Sequence, residues 1–191
     1  MKFNSFLAMV AAALMMVACG NNQNNKAAEE QAEVAQAVMI DQVLAEGEAL
    51  ADQLIEIEGV CTHICSHSAS KIFLLGENEG KTIRVEAAEL GSFDQKCVNS
   101  IVKVKGILHE ERIDEAYLQA WEERIANKTE EKHGDGEGGC DTEKAARGET
   151  ANTSVERIAD FRTKIAARKE ADGKEYLSFY YVEAKEYEIV E

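Results

Sequence analysis

The sequence predicts a mainly β domain, a small five-stranded barrel interrupted before its last strand by an α-helical hairpin. Three observations carry this expectation. Segments 54–65, 71–75, 82–87 and 100–109 alternate apolar with polar residues, or run apolar between turn signals, as strands do. Gly59 and Gly106 stand inside the first and fourth of them, where a bulge or sharp bend is expected. A further β-rich run, Tyr176 to Val190, arrives only after two stretches of helical periodicity.

The chain has 191 residues, enough for one or two domains. Residues 1–18 stand apart from any fold. Lys2 supplies a positive start, Phe6 to Val17 is apolar, and the run is too short for a transmembrane helix. Met16-Val17-Ala18-Cys19 resembles a bacterial lipobox, which directs lipid and palmitate-type acyl attachment to a cysteine and cleavage before it. Cys19 is therefore the expected lipid attachment site, and the expected location is the cell envelope, held to a membrane by that lipid. Residues 19–37 are polar, Asn/Gln-rich and then Ala/Glu-rich, and read as a flexible tether.

Val38 to Gln53 has apolar residues near helical spacing, with Asp41 placed to cap its start. The strand over Leu54 to Cys65 follows, then a polar loop, Ser66 to Ser70. Lys71 to Leu75 is the second strand, and Gly76 to Gly80 a turn into the third, Thr82 to Ala87. Ala88 to Gln95 is a short helix or turn before the fourth strand, Ser100 to His109. Asp114 to Lys128 carries Tyr117, Leu118, Trp121 and Ile125 on one helical stripe. Thr153-Ser154-Val155-Glu156 has the form of a capping box opening a second helix, which Gly173 ends. Between the helices, residues 129–152 hold five glycines and no apolar periodicity, so a structureless connection is expected.

This order, three strands, a short helix, a strand and a delayed fifth strand, resembles the OB-fold, a Greek-key barrel. Residues 38–113 with 173–191 would form the barrel, and 114–172 the hairpin inserted between strands four and five. The resemblance extends to OB-fold lipoproteins of Bacteroidetes-type bacteria. It is carried by Gly59-Val60-Cys61-Thr62-His63-Ile64-Cys65, Arg84-Val85-Glu86-Ala87 and Gly106-Ile107-Leu108-His109-Glu110-Glu111-Arg112-Ile113. It implies the fold and the envelope location. Superfamily relatives bind single-stranded nucleic acid, a role that would rest on fold analogy alone.

The chemistry concentrates at Cys61-Thr62-His63-Ile64-Cys65-Ser66-His67. On an extended strand Cys61, His63, Cys65 and His67 share one face and Val60, Thr62 and Ile64 the other. Thiolate and imidazole are the donors that zinc and copper prefer, so a metal site is expected here. Core packing and a structural disulfide are the plain alternatives. Residues four apart on a strand lie roughly 13 Å apart, so a Cys61–Cys65 bridge would require a turn. Cys97, with no histidine near it, reads as packing or a disulfide partner. His133 and Cys140, seven residues apart in the 129–152 connection, could fold back over this strand, so the expected ligands are Cys61 and Cys65 with one or two of His63, His67, His133 and Cys140. The competing outcome is a hairpin that projects outwards and leaves Cys140 a solvent-exposed thiol.

Net charge sets the partners. The formal charge of −15 becomes −16 once residues 1–18, whose only charge is Lys2, are removed. Such a surface repels phosphate backbones, and Lys71, Arg84, Lys103 and Lys105 read as a wet strand face, so nucleic acid is a disfavoured partner. No nucleophile elbow, phosphate loop or His-Glu-x-x-His helix is present, and no enzymatic role is expected. The leading expectation is a lipid-anchored binding protein for zinc or copper. The alternative is a binding module for a peptide, a small ligand or an envelope partner.

Overall fold

The computed structural model describes residues 35–66, 68–78, 80–127 and 140–190. Among these residues six strands and four helices follow one another in the order β1 (Gln36–Ala37), α1 (Ile40–Leu50), β2 (Leu54–Ile64), β3 (Lys71–Leu75), β4 (Thr82–Glu86), β5 (Ile101–Asp114), α2 (Glu115–Ala126), α3 (Asp141–Ala146), α4 (Ser154–Asp172) and β6 (Tyr176–Val190). Two single 3-10 turns, Ala88–Leu90 and Gln95–Cys97, lead into β5.

The strands pair in the order β2-β3-β4-β6-β5, and β5 returns to β2, which closes a five-stranded barrel. Only β4 and β6 run parallel within that ring. The expected mainly β fold is therefore present, with Tyr176 to Val190 as the closing strand. The two-residue β1, absent from the sequence reading, adds to β2 in parallel at Gln36↔Ile55 and Ala37↔Glu56.

Closure depends on β2 serving two partners. Its first half pairs with β5, from Leu54↔Ile107 to Val60↔Ile101. Its second half pairs with β3, from Val60↔Leu75 to Ile64↔Ile72. Gly59 sits at the handover, where a Cβ would stand 2.6 Å from both Ile40 Cδ1 and the Leu75 carbonyl oxygen. A second close approach joins β5 to β6. The register shifts between Lys105 and Gly106, and a Cβ on Gly106 would lie 2.2 Å from the Glu183 carbonyl oxygen.

Alternation fills the barrel. Ile55, Ile57, Ile72, Leu74, Ile83, Val85, Val102, Val104, Leu108 and Val182 point inward and are buried. Ile40 and Val43 of α1 cover one mouth of this core. Asp41 does not cap α1, whose N-cap, Met39, makes no side-chain bond. Its carboxylate instead accepts the Glu77 and Asn78 amides at 2.9 and 3.1 Å, holding the β3–β4 turn against the helix. The backbone donors of a tight turn outcompete the helix end for this carboxylate.

A smaller core of Ile113, Leu118, Trp121, Ile158 and Phe161 joins α2 and α4 to the ends of β5 and β6. Phe161 meets Phe179 edge to face at 5.9 Å. Thr153 and Glu156 form the expected capping box, and Gly173 ends α4 in the left-handed region at φ 76°. Among the described residues no helix is long and apolar enough to cross a membrane.

Gly106→Ala places a methyl group against the β6 backbone, which no rotamer change can relieve. It should lower unfolding stability by about 2–3 kcal/mol in chemical denaturation. A stability unchanged within error would mean that the β5–β6 seam is looser than this packing requires.

Candidate functional site

The Cys/His strand does not present one face. Pairing steps from Cys61↔Leu74 directly to His63↔Phe73, so Thr62 is an extra residue bulged out of the ladder. Its hydroxyl donates to the Phe73 carbonyl at 3.3 Å. A bulge reverses the alternation beyond it. Cys61 and Ile64 consequently both face the barrel core, while Thr62 is exposed and His63 lies on the outer surface. The expected common face of Cys61, His63 and Cys65 is corrected by this one inserted residue.

Cys61 is fully buried, donates its thiol to the His63 carbonyl at 3.4 Å, and has its thiol pKa pushed up by burial. Cys97 is buried in the same core cluster. Burial, then the neighbouring Cys61 and Asp94, push its thiol up to about 11. Neither position favours the thiolate. Cys65, half-buried, follows the end of β2, and its amide donates to the Lys71 carbonyl at 2.9 Å, turning the chain towards β3.

On the outer surface His63 meets a residue 77 positions away. Cys140 Sγ stands 3.7 Å from His63 Nε2, the His63 ring packing on Phe73 at a centroid separation of 5.8 Å. The 129–152 connection is therefore not structureless throughout. Its residues 141–146 form α3, and Cys140 is the residue at the start of that helix. His67 and His133 lie outside the described residues, as does Cys19. Among the described residues no three His, Cys, Asp or Glu side chains converge on one point.

Charges hold α3 in place. Glu143 bonds Arg84 at 2.5 Å and lies 3.9 Å from Lys71, and Arg147 bonds Glu111 at 2.6 Å. Arg84 also reaches Glu111 at 3.1 Å and Glu86 at 3.2 Å, and stacks over the Tyr181 ring at 4.7 Å. Its side chain is only 11 % exposed, so the expected wet-face role does not apply. Burial opposes ionisation of Glu143, yet Lys71, Arg147 and Arg84 outweigh it and hold the carboxyl below its ordinary range. Burial likewise works against the Arg84 charge, and Glu143, Glu111 and Glu86 reverse that effect.

The strand registers place His63, Phe73, Arg84, Tyr181 and His109 in one row across the outside of the barrel. His109 packs on Tyr181 at 5.3 Å and lies 3.6 Å from Glu183. Beside this row, α3 leaves a cleft of about 640 Å³. Leu44, Phe73, Phe179 and Tyr180 form its apolar wall, with Arg84 and Arg147 at the polar side. Arg84 and Glu143 are the residues sequence reasoning missed. Their pairing across 59 positions has no local signature.

No protein-family model matches the chain, and no curated protein is significantly similar to it.

Replacing Glu143 by Gln removes the central carboxylate of this network, so α3 should open more often. Alkylation of Cys140 by iodoacetamide at neutral pH, read by peptide mapping, should then accelerate several-fold, with Cys97 unchanged. Because the Glu143 pKa is depressed by folding, its contribution is complete above the ordinary carboxylate range. It is lost as pH falls through the lowered folded value. Amide exchange protection of residues 141–147 should follow that acidic window; protection that persists unchanged below it would contradict the assignment.

Proposed function

We propose that this chain is a lipid-anchored OB-fold protein of the cell envelope that binds one zinc or copper(I) ion at a site nucleated by His63 and Cys140. The observation that carries the reading is the 3.7 Å separation between Cys140 Sγ and His63 Nε2. Zinc holds sulfur at about 2.3 Å and imidazole nitrogen at about 2.0 Å, and tetrahedral geometry separates two such donors by roughly 3.6 Å. The sulfur and nitrogen thus stand where two ligands of a shared ion would stand. Cys65 and His67 continue the same chain segment, and His133 precedes Cys140 by seven residues, so the remaining donors come from these. Cys61 is left out because it faces the core.

The OB-fold assignment is supported by the strand order of the five-stranded ring, in which β4 and β6 alone run parallel, and by α2, α3 and α4 falling between β5 and β6 in sequence. In that reading α2 and α4 are the inserted hairpin, and α3 is the end of its connection returned to the barrel. The Bacteroidetes-type lipoprotein resemblance and the lipobox-like Met16-Val17-Ala18-Cys19 support the envelope address. A bound ion would tie α3 to the barrel surface, giving the ion-pair network beside it a metal-dependent geometry that an envelope partner can read.

Mature protein purified without oxygen should contain close to one equivalent of zinc or copper by elemental analysis. His63→Ala and Cys140→Ser should each weaken affinity by on the order of 100-fold or more, with Cys61→Ser within a few-fold of wild type. Affinity should also fall towards acidic pH, because the ion binds thiolate and neutral imidazole, and thiol and imidazolium must lose protons to supply them. Metal-free protein carrying a Cys65–Cys140 disulfide would refute the site.

The anchor is tested separately. Cys19→Ala should leave the signal uncleaved or release the protein from the membrane fraction. A variant still processed and still membrane-bound would exclude Cys19 as the attachment point.

A further inference from the structure

The four cysteines beyond Cys19 divide between two environments. Cys65 and Cys140 are half-buried at the surface, whereas Cys61 and Cys97 are fully buried in the barrel core. The metal site gives the first pair a role. Nothing in it uses the second.

We propose that Cys61 and Cys97 are joined by a disulfide in the exported protein, a covalent link between β2 and the turn that launches β5. The backbone already brings the two together. Residues 97–100 form a turn in which the Ser100 amide donates to the Cys97 carbonyl at 3.0 Å. Val98 at φ −63°, ψ 126° and Asn99 at φ 64° are the two central residues of a type II turn. Such a turn keeps its first and fourth α-carbons within about 7 Å. Its far end is bonded to Cys61 from both sides, Cys61 N–H donating to Ser100 O at 2.9 Å and Asn99 N–H to Cys61 O at 2.8 Å. Both side chains then enter the same core, where negative charge on one sulfur is felt by the other. Cys65 and Cys140 lie on the outer surface instead, so a bond from either to Cys61 would be incompatible with the closed barrel.

The bond requires an oxidant, and the envelope supplies one class: a protein or small molecule that carries a reactive disulfide. One cysteine thiolate attacks that disulfide and forms a mixed disulfide, releasing the carrier's first thiol. The second cysteine displaces the carrier's other sulfur. The two cysteines lose two protons and two electrons, and the carrier disulfide becomes a dithiol. Because both thiols end fully buried, the exchange must occur before the core closes over them. The folded bond is then shielded from soluble reductants, and the folded dithiol from oxidants.

The proposal rests on the envelope reading, and the test separates the two. Cells making the full chain are quenched in acid, fractionated, denatured and alkylated, and the peptides are mapped. The expected result is a Cys61–Cys97 linked peptide from the envelope fraction, with Cys65 and Cys140 alkylated. Envelope protein with both Cys61 and Cys97 alkylated would overturn the bridge while leaving the location intact. If the chain proves to be cytosolic, the location fails, and refolding of the reduced chain in oxidised glutathione decides the bridge. There Cys61–Cys97 should dominate; any other dominant pairing overturns it. A Cys65–Cys140 link found beside it would remove the metal site but not this bond. Reducing the bridge under denaturing conditions and refolding without oxidant should lower the melting temperature by roughly 10 °C, since the closed loop spans 37 residues, Cys61 to Cys97. An unchanged melting temperature would count against it.

Discussion

The bulge at Thr62 is the constraint on which the arrangement of this protein's chemistry depends. Without it, β2 would continue its alternation from Ile55, Ile57 and Cys61 into the core, and His63 would follow Cys61 inward. An imidazole in the barrel centre would need a polar partner there, and the neighbouring core side chains, Ile72 and Leu74, provide none. By taking one extra residue out of the ladder, the strand keeps Cys61 inside, returns Ile64 to the core, and turns His63 outward onto Phe73. A single unpaired residue thus assigns opposite environments to two side chains two positions apart.

The outer face built this way is then covered by α3, and electrostatics hold it there. Six residues are too few to be stable as an isolated helix. Its local ion pairs are Lys144 with Asp141 at 2.8 Å, where Asp141 is almost fully exposed, and Arg147 at its C-cap with Glu143 at 3.4 Å, and the exposed one contributes little. The anchoring falls to Glu143 and Arg147, which face Arg84, Lys71 and Glu111 at the shielded interface. Their charges interact more strongly there than in water, and each has an opposite partner within reach. Arg84 is the hub, since it meets three carboxylates and a tyrosine ring while almost covered. The network fixes where Cys140 stands, because Cys140 is three residues before Glu143 on the same short helix.

Much of the barrel was legible in the sequence because its signals are local. Alternation identified the strands, the pair Thr153 and Glu156 marked a helix start, and Gly59 and Gly106 marked the places where another backbone passes too close for a side chain. The bulge was half legible. A glycine was read as the irregularity of the first strand, but the register slips at Thr62, whose own preference for strands hides the slip. Asp41 misled for a related reason. An acid at a helix start is ordinarily a cap, and only the folded position of the β3–β4 turn reveals a better set of donors. The helix α3 had no apolar periodicity to announce it, being held by ion pairs with residues 36 to 72 positions distant. Long-range charge pairing leaves no trace in a sequence window.

The same distinction explains why the cysteines could be counted but not sorted. Four thiols allow three pairings, and spacing alone ranks them by loop length rather than by face. What separates them is the barrel wall. A thiol that points inward is shielded, disfavours its thiolate, and loses access to ions from solution. One at the surface beside an imidazole gains a donor partner and a route for a metal to enter. The wall passes between Cys61 and His63, so Cys61 is cut off from His63 and Cys65 in a motif that reads as one strand of donors. The thiol that stands beside His63 is instead that of Cys140, carried in from another part of the chain by a helix that the charges of β3, β4 and β5 hold in place.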